Sequence, residues 1–230
     1  MNVLQWAFIV AGAVVQLLLI AVLVRGSYRT FPFLFAYAVA AFLATAVEVA
    51  AILDLMGWSA YTYKYYWIND LILQSLIMLL VLSLVYQSMR DNPKRPFTIR
   101  LLALGVVIVA ASSLAMHWSE PLNERMTDVA RNLSFSAVLL NLVLWMSLLK
   151  RRLPDTRLLV ISGALGIQMA GQAIGHSLRQ LAAPRRSVPL VMSGNIMIAA
   201  AHVMCLYLCW QTLRQYEVAS SRAHRTPTEA

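Results

Sequence analysis

The sequence predicts an all-α integral membrane protein built as a bundle of seven transmembrane helices. Sixty per cent of its 230 residues are apolar and 13% are charged, whereas soluble domains average about 45–50% and about 25%. The charged residues cluster between long apolar runs, whereas a soluble protein would scatter them over its surface. These observations, with a mean hydropathy of +0.67, place the chain in a lipid bilayer.

Apolar windows of about 20 residues, the length that crosses a bilayer, mark each candidate span. They lie near residues 3–24, 31–56, 63–89, 97–117, 127–149, 157–182 and 188–213. The first has no basic segment before it and is too long for a cleavable signal peptide. We therefore expect one seven-helix domain over residues 1–213, followed by a short, disordered cytoplasmic tail over residues 214–230.

The distribution of basic residues predicts the orientation of the bundle. Thirteen of the 19 lysines and arginines fall in the tail and in the connections after spans one, three and five. Because cytoplasmic loops are enriched in Lys and Arg, the N-terminus is predicted outside and the C-terminus inside, in the cell (inner) membrane. Arg185 and Arg186 are the exceptions to this pattern.

The third span begins with an interfacial signature and continues with polar residues. Residues 61–74 read YTYKYYWINDLILQ, with five aromatics in the first seven positions and Lys64 among them. Aromatic residues and lysine of this kind mark the membrane–water interface. Asn69, Asp70 and Gln74 follow within the apolar helix, where a carboxylate is costly and usually has a partner or a function.

Several polar side chains are predicted at one depth in the outer half of the bundle. With a rise of 1.5 Å per residue, Glu48, Asp70 and Asn195 come roughly 7, 9 and 8 Å outward of the span midpoints. Arg131 and His176 both come roughly 10 Å outward. We expect these groups to meet inside the bundle around a polar pocket.

Helical spacing supports a shared interior. Tyr66, Asp70 and Gln74 repeat every four residues, and Gln172 and His176 have the same spacing on the sixth span. The candidate ligand-binding residues are Glu48, Tyr66, Asn69, Asp70, Gln74, Arg131, Gln172, His176 and Asn195.

The sixth span also carries a GxxxG pair. Gly171 and Gly175 lie one helical turn apart. Small residues at this spacing predict close approach of a neighbouring helix.

A purely structural interpretation of the polar residues stays open. A charged residue at the bilayer centre costs roughly 2.5–3.5 kcal/mol, so it must be paired, hydrated or neutralised. Asp70 and Arg131 would satisfy this as an interhelical ion pair, with Asp128 as a rival partner for Arg131. Glu48 and His176 would satisfy it as hydrogen-bonded interior groups.

Familiar catalytic and cofactor patterns are absent from the sequence. It contains no Gly-rich phosphate loop, HExxH or GxSxG. A retinal Schiff base needs a lysine within the membrane, but Lys64, Lys94 and Lys150 lie near span ends. His202 and Cys205 share a helix face, as metal ligands would, but apolar core residues are the simpler interpretation. We assign no catalytic residue, metal or cofactor.

We expect a multi-pass, bacterial-type membrane protein that is receptor-like or accessory rather than an enzyme. Its expected partners are the lipid bilayer, a small polar ligand and a cytoplasmic or membrane protein. Nucleic acid is excluded because the basic residues lie in short loops rather than on one accessible face. The alternatives are a proton-coupled small-solute transporter and, third, an intramembrane enzyme acting on a lipid or quinone.

The orientation is testable by labelling. We expect a reporter fused after Ala230 to lie in the cytoplasm and a cysteine introduced at Ser119 to react with an impermeant maleimide from outside. The opposite labelling pattern would invert the assignment.

Overall fold

A computed structural model describes residues 3–52, 60–89, 95–116, 122–149, 155–182 and 187–225. The described chain is helical, and a short 3-10 turn at Ser27–Arg29 joins the first two α-helices. The α-helices are α1 (Val3–Val24), α2 (Pro32–Ile52), α3 (Ala60–Ser88), α4 (Arg95–Met116), α5 (Leu122–Leu149), α6 (Thr156–Ala182) and α7 (Val188–Arg225).

Six of these helices are long and apolar enough to cross a membrane. Their apolar segments are Trp6–Val24, Pro32–Ala50, Leu71–Ser88, Asn132–Leu149, Thr156–Arg179 and Val188–Tyr216. The fourth helix contributes a shorter apolar segment, Pro96–Val109. In lipid, a helix satisfies its own backbone hydrogen bonds, which explains why these runs fold this way. The protein is therefore a multi-pass helical membrane protein.

The last helix is longer than its predicted span. α7 continues to Arg225, so residues 214–225, which we expected in a disordered tail, are helical. Residues 214–225 contain no glycine or proline, and the next proline is Pro227. A helix therefore meets no strong breaker there. Residues 226–230, and residues 53–56 of the predicted second span, lie outside the described part of the chain.

Six helices contact one another in a ring, and α4 packs outside it. Around the ring the order is α1, α2, α3, α5, α6 and α7, and the α6–α7 contact is the most extensive. α4 packs against α5 and, less extensively, α3, and none of its described side chains is buried. Phe97 and Val107 are 69% and 62% exposed, which suits a face in contact with lipid.

Most of the packed apolar core lies in one half of the bundle along its length, and Val129 and Leu133 extend it towards the start of α5. That half is where α1 ends and α2 begins, and Leu23, Leu34 and Leu84 are all at most 1% exposed there. We call the opposite half, which contains the start of α1, the N-terminal end of the bundle. Polar side chains concentrate towards that end.

Glycines bring α6 and α7 into backbone contact. A Cβ atom placed on Gly175 would lie 2.7 Å from the carbonyl oxygen of Gly194, and one on Gly194 would lie 2.7 Å from that of Gly175. Gly171, one turn earlier on α6, faces the methyl group of Ala201 on α7. The close approach predicted from the GxxxG pair is thus confirmed, and the neighbour is α7.

Replacing Gly175 by alanine tests this contact. We expect Gly175→Ala to lower the free energy of unfolding by about 1–3 kcal/mol, because the new methyl group meets a backbone oxygen that cannot move alone. Unfolding by SDS in mixed micelles, followed by circular dichroism, measures the change. Gly105→Ala in α4 is the matched control, since nothing lies within 4 Å of its Cβ position. Equal stability of the two variants would contradict the tight crossing.

Candidate functional site

A cavity of about 400 Å³ lies at the N-terminal end of the bundle, between α1, α2, α3, α6 and α7. Pockets that bind small molecules usually measure about 300–1,000 Å³ and combine apolar walls with a few polar groups. Phe8, Ile9, Leu73 and Val203 belong to the apolar walls. The polar lining consists of Gln16, Tyr37, Thr45, Glu48, Asn69, Gln172, His176, Arg179, Asn195 and His202.

The structure brings five of the nine predicted site residues to this cavity. They are Glu48, Asn69, Gln172, His176 and Asn195. Gln74 is 3% exposed and lies behind the wall, where its Nε2 donates to Oε1 of Gln172 at 3.3 Å. The side chains of Tyr66, Asp70 and Arg131 lie outside the described part of the structure, although the backbone of their helices is described.

Glu48 is placed differently from its neighbours in the lining. Its side chain is exposed, whereas Asn69, Gln172, His176 and Asn195 are half-buried. An exposed residue that also lines the cavity lies at its open side. The Glu48 side chain already interacts with another residue, so it is not a free carboxylate.

Arg179 is a cavity residue that was not among the predicted candidates. Its Nε donates a hydrogen bond of 2.6 Å to Oδ1 of Asn195, which joins α6 to α7. The glycine crossing makes this contact possible, because a Cβ atom on Gly194 would lie 3.3 Å from Cγ of Arg179. The sequence carries a signal for this residue: Gln172, His176 and Arg179 are spaced by four and three positions, which places them on one helix face.

A hydrogen-bonded network forms the inner end of the cavity, and His202 is its centre. Nδ1 of His202 lies 3.2 Å from Oη of Tyr37, and Nε2 lies 3.2 Å from Nε2 of Gln16. Gln168 donates from Nε2 to Oη of Tyr37, and Gln16 donates from Nε2 to Oγ1 of Thr45 at 3.4 Å. The network therefore joins four helices: α1, α2, α6 and α7.

The chemistry of the amide assigns the histidine tautomer. The amide nitrogen of Gln16 can only donate, so Nε2 of His202 accepts and Nδ1 carries the proton. Nδ1–H then donates to Oη of Tyr37. Within the described residues, Oε1 of Gln16 and Oε1 of Gln168 are buried without a hydrogen-bond donor. The network is thus short of donors on its two glutamine oxygens.

Sequence reasoning missed this network because it grouped polar residues at one depth in the outer half of the bundle. Gln16, Gln168 and His202 lie near the middle of their spans, and Tyr37 lies towards the start of α2, so none of the four belongs to that outer layer. Isolated polar residues within four separate apolar spans were the available signal, because such residues in lipid need partners.

Comparison of the chain with protein-family models, with curated proteins and with solved structures found no match. The fold alone defines the class, a multi-pass helical membrane protein. Any account of its function therefore depends on the cavity.

Removing the Tyr37 hydroxyl tests the network. Tyr37 is 2% exposed, so Tyr37→Phe leaves Nδ1 of His202 and the Gln168 amide without their partner. We expect a loss of about 1–2 kcal/mol in the free energy of unfolding. Tyr207→Phe is the matched control because Tyr207 is 45% exposed. The hydroxyl would have no structural role if both variants unfolded like the unmodified protein.

Proposed function

We propose that this protein is a receptor-like or accessory membrane protein that binds a small polar ligand in the cavity. The observation that carries the proposal is the composition of the cavity lining. Five helices contribute to it, and it includes a carboxylate, a guanidinium, two imidazoles and several amides. Convergent polar groups in an otherwise apolar concave site are typical of ligand recognition.

The bonding pattern favours a ligand over mere packing. Structural polar residues in this bundle pair with each other, as Asn141 and Ser162 do: Nδ2 of Asn141 donates to the Ser162 carbonyl, and Oγ of Ser162 donates to Oδ1 of Asn141. Within the described chain, by contrast, Asn69 and His176 have no hydrogen-bonded side chain as partner, although both line the cavity. Groups left in this state are available to a ligand.

We further propose seven membrane spans with the N-terminus outside and a location in the cell (inner) membrane. α4 has 22 residues, about 33 Å at 1.5 Å per residue, which exceeds the hydrocarbon thickness of about 30 Å. The bias of basic residues supports the orientation. In this arrangement the cavity opens on the outer side, and a signal would pass to a protein partner at the cytoplasmic side.

Thermal stabilisation by small polar probes tests ligand binding. Glycine, succinate, putrescine and glycerol represent zwitterionic, anionic, cationic and neutral chemistry. At a concentration 100 times Kd, a bound probe stabilises the folded state by about 2.7 kcal/mol. We expect at least one of these probes to raise the Tm of the purified protein in nanodiscs in a saturable way. We expect that probe to enter liposomes containing the protein no faster than protein-free liposomes.

Two variants show whether the probe occupies the cavity. We expect Asn69→Ala, at the cavity wall, to weaken the shift, and Gln211→Ala, on an exposed part of α7, to leave it unchanged. Faster entry of the probe into liposomes with the protein than into protein-free liposomes would favour the transporter alternative. The absence of any saturable shift would contradict ligand binding.

A further inference from the structure

We propose that the ligand of this cavity carries an anionic group, a carboxylate or a phosphate, which binds the guanidinium of Arg179. The remainder of the ligand is a short apolar body that extends along the cavity towards His202. This inference rests on the proposed function and adds to it the chemical class of the ligand.

Within the described residues, Arg179 uses only one of its hydrogen-bond donors. A guanidinium has five N–H donors in a planar fork, and Arg179 uses the one on Nε for Asn195. None of the described residues accepts a hydrogen bond from its two terminal nitrogens. Four donors in one plane fit the paired oxygens of a carboxylate or phosphate, which arginine binds through two parallel hydrogen bonds.

The surrounding residues hold the guanidinium in place before a ligand arrives. Oδ1 of Asn195 fixes Nε at 2.6 Å, and Gly194 has no side chain that would obstruct the stem of Arg179. Arg179 is also half-buried in the cavity wall. A side chain that is already ordered loses less entropy on binding, and this favours affinity. Asn195 is therefore a positioning residue for Arg179.

The described lining carries one guanidinium, Arg179, and one carboxylate, Glu48, so its charges favour an anion beside Arg179. Arg179 is the one arginine or lysine among the lining residues that the structure describes. Glu48 lies at the open side and interacts with another residue. A cation within a membrane is costly unless an opposite charge is near, so a bound anion offsets that cost. A cationic ligand would add a second positive charge beside the first.

The length of the cavity sets the size of the ligand. Arg179 and Gln172 are seven residues apart on α6, as are Asn195 and His202 on α7, which is about 10 Å along each helix. Ile198 and Ala199 line the cavity between the two levels on α7. An anionic group at Arg179 thus leaves room for an apolar chain of about six carbons before the Tyr37–His202 network.

Four probes with the same chain and different head groups test the charge preference. Hexanoate and hexyl phosphate carry the anion, hexylamine carries a cation, and hexanol is neutral. Acetate and inorganic phosphate show whether the anion binds without the chain. Binding to the protein in nanodiscs is measured by calorimetry and by the shift in Tm, with empty nanodiscs as the control for partitioning into lipid.

We expect one or both anionic hexyl probes to bind at least about ten-fold more tightly than hexylamine, with hexanol between them. Arg179→Gln should raise the Kd of the anion by about ten-fold and leave that of hexanol within about three-fold. Asn195→Ala should raise the Kd of the anion by a smaller factor than Arg179→Gln does. Arg214→Gln removes a charge from an exposed part of α7 outside the cavity and should leave every Kd unchanged.

The outcomes separate this inference from the proposed function. If hexylamine and hexanol bind as tightly as the anions, or if Arg179→Gln leaves anion binding unchanged, the anionic assignment is wrong and the ligand cavity stands. If no hexyl probe binds but one of the four small polar probes does, the amphiphilic ligand is wrong and the cavity again stands. If neither the hexyl probes nor the four small polar probes bind, both proposals are wrong.

Discussion

The backbone contact between Gly175 and Gly194 is the constraint on which the cavity depends. Each glycine occupies a position where a Cβ atom would meet the carbonyl oxygen of the other. Helices in lipid gain nothing from burying apolar surface against each other, so close packing must supply the attraction. The crossing also determines which residues meet beyond it, and Arg179 and Asn195 meet because α6 and α7 are so close. On its other side, α7 packs against α1 and closes the ring.

The two ends of the bundle differ in how their interior is filled. One half is filled by leucine and isoleucine side chains, with Leu23, Leu84 and Leu148 fully buried. The other half leaves an incompletely filled space with polar walls. The His202 network lies at the boundary, where its interhelical hydrogen bonds link four helices at the inner end of the cavity. A closely packed half thus adjoins an open half, and close packing next to a cavity helps to preserve its shape.

Much of the fold could be predicted because the bilayer allows a spanning chain few conformations. A long apolar run must become a helix to satisfy its backbone, so span positions follow from hydropathy. The arrangement of the helices around the ring does not follow, since hydropathy contains no information on which helices touch. The sequence therefore did not predict that α4 lies outside the ring. It also did not predict that α6 crosses α7. The helical end of α7 was missed because polarity was taken as disorder, although no residue there breaks a helix.

The site was predictable to the extent that depth along a span determines contact. Glu48, His176 and Asn195 line one cavity because they are polar, lie at similar depth and belong to helices close together in the ring. Arg179 lies closer to its span end than the polar layer predicted at about 7–10 Å from the midpoints, so a selection by depth leaves it out. The rotation of each helix about its axis decides which side chains face inward. An estimate of depth from the rise per residue gives no information on that rotation.

One continuous helix carries both a wall of the cavity and the far end of the chain. α7 has 38 residues, about 57 Å at 1.5 Å per residue, while the hydrocarbon layer is only about 30 Å thick. Asn195 and His202 lie in its first half, and its last turns extend beyond the apolar segment that ends at Tyr216. A small tilt of α7 imposed near Asn195 would therefore displace its other end on the opposite side of the membrane, and an axial rotation would turn that end.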